Sequence, residues 1–127
     1  MRPSYFLTTC LLACALVSCG PRPKAPLLRL PSGKEIRVVQ IGTMHFSADK
    51  PAWMLKYETK TSFDNVSDLR QEALEVWDQY RSTVERDGKE SAILSANEPA
   101  PDTLISHTRG YNFVVKKQPD GTWQMLQ

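Results

Sequence analysis

Few side chains in this sequence have the type and spacing that chemistry needs. The two histidines, His45 and His107, stand in opposite halves of the chain, and the three cysteines are Cys10, Cys14 and Cys19. A metal centre needs several His, Cys or carboxylate ligands converging, so neither a metal nor a cofactor is expected. Asp102, Ser106 and His107 are the residue types of a hydrolytic triad, but no nucleophile elbow or strained turn aims the serine. His107 is read instead with Arg109 as a ligand or partner contact. The two share a polar loop, where binding residues concentrate, and a guanidinium beside an imidazole can hold an anion. His45, beside Phe46 at a strand end, is read as a partly buried structural histidine. The helix acids Asp68, Glu72 and Glu75 are assigned to a solvated face, which leaves no buried carboxylate pair with divided roles. The glycines are scattered as turn and cap residues and form no phosphate-binding loop. No catalytic residue is assigned, and an enzyme is the less favoured reading.

The strongest motif surrounds the third cysteine. Arg2 precedes an apolar run from Tyr5 to Val17, about 13 residues, short of the roughly 20 that span a bilayer. A basic start followed by a short apolar run is the layout of a secretory signal. The run closes in Leu16-Val17-Ser18-Cys19-Gly20. This stretch resembles the lipobox of bacterial lipoproteins, with Leu at −3, a small Ser at −1, Cys at +1 and Gly at +2. The resemblance implies that residues 1–18 are a signal peptide and that the Cys19 thiol accepts the lipid and anchors the protein to a membrane. Gly20 at the second mature position implies the outer membrane, facing the periplasm, in a Gram-negative source, and otherwise the extracytoplasmic side of the cell membrane. An ordinary signal cut after Ala15 is the alternative that Ala13-Cys14-Ala15 allows. Cys10 and Cys14 would leave with the signal, so the mature domain holds no disulfide. Residues 19–26 carry Pro21, Pro23 and Pro26 and read as a polyproline-like tether of roughly 20 Å.

The elements that must position any site follow in residues 27–127, a length suited to one domain. Leu27 to Leu30 and Glu35 to Phe46 read as a hairpin about Pro31-Ser32-Gly33-Lys34. The second strand is expected to be buried on both faces at its centre, with Gly42 at a bulge or close backbone contact. Ala52 to Thr61 alternates Trp53, Leu55 and Tyr57 with Lys56, Glu58 and Lys60, the pattern of a half-solvated antiparallel strand. Over residues 65–87, Val66, Leu69, Ala73, Val76, Trp77, Tyr80 and Val84 recur on one helical face. Asp64 or Asn65 caps the start and Gly88 the end. Asn65-Val66-Ser67 is read as part of that cap rather than as a glycosylation signal. Glu90 to Asn97, Tyr111 to Lys117 and Thr122 to Leu126 are strands, the last two joined by a Pro119-Asp120-Gly121 turn. The last hairpin is similar to that of nuclear-transport-factor-2-like domains. That fold begins with helices and this mature chain with strands, so its pocket is not carried over. The expected fold is α+β: an antiparallel sheet of five or six strands packed against one long amphipathic helix at about 65–87.

Charge narrows the function classes further. The chain carries a net charge of +2, with basic residues concentrated before Lys60 and acids between Asp64 and Asp102. The basic residues form no run, which argues against nucleic acid as a partner. The mature part resembles small bacterial lipoproteins. The expected function is a membrane-anchored, non-enzymatic binding or assembly module that holds an envelope protein or cell-wall partner. Two alternatives stand beside it: a small periplasmic enzyme or ligand-binding domain with a pocket near His107 and Arg109, and an inhibitor or immunity protein acting through loop 99–109.

Overall fold

A computed structural model describes residues 26–101 and 107–126. Cys19 and its flanking motif, and Asp102 and Ser106 of the loop, lie outside the described residues. Alternating segments become strands β1 (Leu27–Arg29), β2 (Glu35–Met44), β3 (Ala52–Thr59), β4 (Ser91–Asn97), β5 (Gly110–Lys117) and β6 (Trp123–Leu126). The stretch with helical spacing becomes α1 (Val66–Arg86). The Asn65 side chain caps α1 by accepting from the Asp68 backbone N–H at 3.2 Å, which is the capping role read from the sequence. The β1–β2 turn closes on Gly33 at φ +91°, where a side chain would be strained.

The six strands form one sheet in the order β1-β2-β3-β4-β5-β6. Four of the five pairings are antiparallel, but β3 and β4 run parallel, with Trp53, Leu55 and Tyr57 in register with Ala92, Leu94 and Ala96. The sheet is therefore mixed, which corrects the expectation of a wholly antiparallel one. The cause is α1. A 21-residue helix is about 31 Å long, so it carries the chain back to the starting end of β3. Strands joined that way run in the same direction, whereas a tight turn reverses them.

One core lies between α1 and the sheet. Leu69, Ala73, Val76, Trp77 and Val84 of the helix meet Ile36, Leu55, Tyr57, Leu94, Phe113 and Val115 of the sheet, all buried. Trp77 packs on Trp123 at 4.9 Å between ring centroids, and the Trp123 Nε1–H donates to Glu85 Oε1 at 2.9 Å. Tyr80 lies 5.6 Å from Trp53. On the opposite sheet face, register aligns Met54, Ile93, Val114 and Leu126 in a narrow apolar row.

Three details depart from the sequence reading. The centre of β2 is not buried on both faces: Val39 and Ile41 are about half exposed. β1 pairs only with Glu35–Arg37, and a bulge between Val38 and Gln40 breaks the ladder just beyond. That bulge precedes Gly42, at which an added Cβ would meet nothing within 4 Å. His45 is exposed rather than partly buried.

Candidate functional site

The helix carries one residue that breaks its own polarity. Glu72 lies three residues after Leu69 and four before Val76, a spacing that places it on the apolar stripe. It is 1% exposed, which corrects its assignment to the solvated face. β3 supplies its partners. The period of two that buries Trp53, Leu55 and Tyr57 also turns Thr59 toward the helix. The Thr59 Oγ1–H donates to Glu72 Oε2 at 2.9 Å, and the Thr61 Oγ1–H donates to the same oxygen at 2.5 Å. The Thr61 backbone N–H donates to Thr59 Oγ1 at 3.1 Å, which fixes the two hydroxyls relative to each other.

The other carboxylate oxygen, Glu72 Oε1, is buried and has no hydrogen-bond partner, as is the Tyr57 hydroxyl. Burial first, and then the charge of Glu72, push the Tyr57 phenol well above its ordinary range. Tyr57 therefore stays protonated beside the carboxylate. Unsatisfied buried polar atoms are rare and costly, so two of them near one carboxylate mark this end of the sheet.

Glu72 lies on the wall of an open cavity of about 440 Å³. The cavity is bounded by the β1–β2 turn (Gly33, Lys34), the start of β2 (Glu35, Arg37) and the end of β3 with the residues after it (Glu58 to Thr61). The turn is pinned to α1: Ser32 donates its backbone N–H to Glu75 Oε1 at 3.1 Å and its hydroxyl to Glu75 Oε2 at 2.7 Å. Bases and acids are balanced around the cavity, with Lys34, Arg37 and Lys60 against Glu35, Glu58 and Glu72. A second cavity, of about 420 Å³, opens at the other end of β3, between Phe46, Ile93 and Val114. Its Lys50 and Glu90 pair with each other at 3.0 Å.

The residues singled out from sequence lie elsewhere. His107 is exposed, and neither it nor Arg109 lines the cavity around Glu72. Arg109 gives Nη1–H to Asp64 Oδ1 at 3.0 Å and Nε–H to Glu98 Oε1 at 2.8 Å, with its guanidinium 5.7 Å from the Phe63 ring centroid. Those contacts hold the Arg109 pKa up, the hydrogen bond to Asp64 first and that to Glu98 next, and hold the Glu98 carboxyl below its usual range. In this geometry the guanidinium clasps the start of β5 to the end of β4 and to the turn before α1. Cys19 is outside the described residues.

Sequence reasoning missed Glu72, Thr59 and Thr61. A signal was present, because Glu72 occupies an i+3 position from Leu69 and Thr59 continues the buried alternation of β3. Residue type outweighed spacing. No protein family, curated protein or solved structure matches the chain.

Proposed function

We propose that this protein is a lipid-anchored envelope protein whose domain is a non-enzymatic binding module, and that its binding site is the cavity around Glu72. One observation carries the reading: a buried carboxylate with one oxygen lacking a donor, on a residue that lines an open cavity large enough for a small ligand. Taking a carboxylate out of water costs several kcal/mol unless it is well paired, so a group that completes its pairing would bind there. The Thr59 and Thr61 hydroxyls both point their protons at Glu72, and neither histidine borders the cavity. The arrangement is suited to holding a donor.

The anchor rests on the Leu16-Val17-Ser18-Cys19 motif. No described helix is long and apolar enough to cross a membrane. Lipidation at Cys19 would supply attachment, since more than one acyl chain is needed for stable anchoring. On this reading, Cys19→Ala abolishes labelling by a radioactive or clickable fatty acid and leaves the precursor uncleaved. A mutant that is still processed and retained in membranes like the parent overturns the anchor.

The binding module has its own test. Backbone amide spectra of the full chain in detergent are recorded before and after adding a low-molecular-weight envelope extract. The expected perturbations cluster at Gly33, Lys34, Lys60 and Thr61, and mass spectrometry recovers the bound compound unchanged. Perturbations confined to Ile93, Val114 and Lys116 would move the site to the other end of the sheet. A bound compound recovered as a product would make the protein an enzyme.

A further inference from the structure

Resting on the reading of this cavity as the binding site, we infer that its ligand is a small zwitterion. It would be an amino acid or short peptide whose free ammonium group docks on Glu72 and whose carboxylate is held by Lys34 and Lys60. The inner wall sets the first half. Glu72 Oε1 is buried and lacks a donor, while Oε2 already accepts from two threonine hydroxyls. A single carboxylate oxygen without a donor calls for a group that only donates and carries positive charge. A guanidinium binds carboxylates best as a two-pronged fork on both oxygens, and here one of them is taken. An ammonium is a point charge with rotatable donors, so one oxygen suffices. A hard metal ion needs about six oxygen ligands, and no group of three His, Cys, Asp or Glu side chains converges among the described residues.

The rest of the cavity sets the second half. Lys34 and Lys60 border it, and neither is in an ion pair among the described residues. Glu35, by contrast, is engaged by Arg29 at 3.6 Å, and register places Glu58 opposite Arg37. Two lysines without acidic partners and a buried carboxylate thus line the same cavity. A volume of about 440 Å³ lies at the lower end of small-molecule pockets, the size of one or two residues.

The test uses the full chain in detergent, followed by its amide spectrum, with four probes: glycylglycine, N-acetylglycylglycine, glycylglycinamide and phosphoethanolamine. Glycylglycine is expected to shift Gly33, Lys34, Lys60 and Thr61 saturably. Acetylating its amine should weaken binding about tenfold or more, the scale of a charge-assisted hydrogen bond. Glu72→Gln, with its fold checked by the dispersion of the same spectrum, should weaken glycylglycine by a similar factor and become indifferent to acetylation. Thr61→Val, which removes one competing donor from the carboxylate, is the second variant and should bind the unblocked peptide at least as tightly as the parent does. Amidation of the carboxylate, or Lys60→Ala, should weaken binding severalfold. Equal binding of the acetylated peptide, or undiminished binding by Glu72→Gln, overturns the inference. So does binding of phosphoethanolamine without glycylglycine, which would assign the cavity to an ammonium phosphate headgroup. If envelope extract perturbs the cavity and no glycyl probe does, the zwitterion assignment falls and the binding module stands. If neither perturbs it, both fall.

Discussion

Replacing Glu72 by Gln or by Ala separates a residue kept for binding from one kept for stability. Two hydroxyls donate to Glu72 Oε2, while Oε1 has no partner and the side chain is 1% exposed. In Glu72→Gln the amide oxygen can accept from both threonines. Each bond then falls from the charge-assisted range, about 1.5–3 kcal/mol, to about 0.5–1.5 kcal/mol. The loss of roughly 2 kcal/mol, with about 1–3 kcal/mol more for the buried amide N–H that replaces Oε1, is offset by removing a buried charge whose desolvation costs several kcal/mol. The net change should lie within about 1 kcal/mol of zero. Glu72→Ala removes the acceptor altogether. Thr59 is buried and its hydroxyl would be left unsatisfied at about 1–3 kcal/mol, while half-buried Thr61 can turn toward water. With the lost side-chain packing, a cost of about 3 kcal/mol follows. Urea unfolding is followed by tryptophan fluorescence, since Trp53 and Trp77 are buried in the core. With a slope of about 1–1.5 kcal/mol/M for a domain of this size, Glu72→Ala should lower the midpoint by roughly 2–3 M and Glu72→Gln should move it by less than about 1 M. A Gln variant as destabilised as the Ala variant would show that the fold itself requires the carboxylate charge.

Two further outcomes follow from the end of the sheet beside loop 99–109. An added Cβ at Gly110 would stand 2.9 Å from Asn97 Oδ1, whose amide group is held by the Ser95 carbonyl and hydroxyl. Gly110→Ala should therefore cost about 1–2 kcal/mol, and pairing it with Asn97→Ala should restore part of the loss in a thermal-melt cycle. Glu98 has its pKa lowered by the Arg109 hydrogen bonds. A carboxylate depressed in the folded state stabilises above its unfolded pKa and loses that contribution as pH falls through the folded value. Protection of the Arg109 and Gly110 amides, taken relative to the intrinsic exchange rate at each pH, should fall at pH below the ordinary carboxylate range. In Arg109→Ala the loss of protection should already be present at neutral pH, and protection in the parent that does not change with acid would refute the clasp.

Much of the fold was legible in local pattern. The helix face from Leu69 to Val84, the Asn65 cap and the Asp120-Gly121 turn were all readable, because spacing and turn chemistry act within a few residues. Strand direction was not. The alternation of Trp53, Leu55 and Tyr57 looks the same whether the neighbour is parallel or antiparallel, and only the return path of α1 makes β4 parallel to β3. Arg109 shows the same limit. Its loop position suggested a free cation, but its partners Asp64 and Glu98 lie 45 and 11 residues away, and no local pattern pairs them.

The sequence by itself determined which segments are strands and helix, which face of the helix is apolar, and the motif at Cys19 on which the proposed anchor rests. These are properties of neighbouring residues, set by backbone sterics and side-chain period. Only the tertiary structure decided that Glu72 is buried, that it meets Thr59 and Thr61, and that one of its oxygens is left without a donor beside an open cavity. Burial of a charge depends on what the other elements place against it. A carboxylate on an amphipathic helix faces water until a sheet end with two hydroxyls is laid over it.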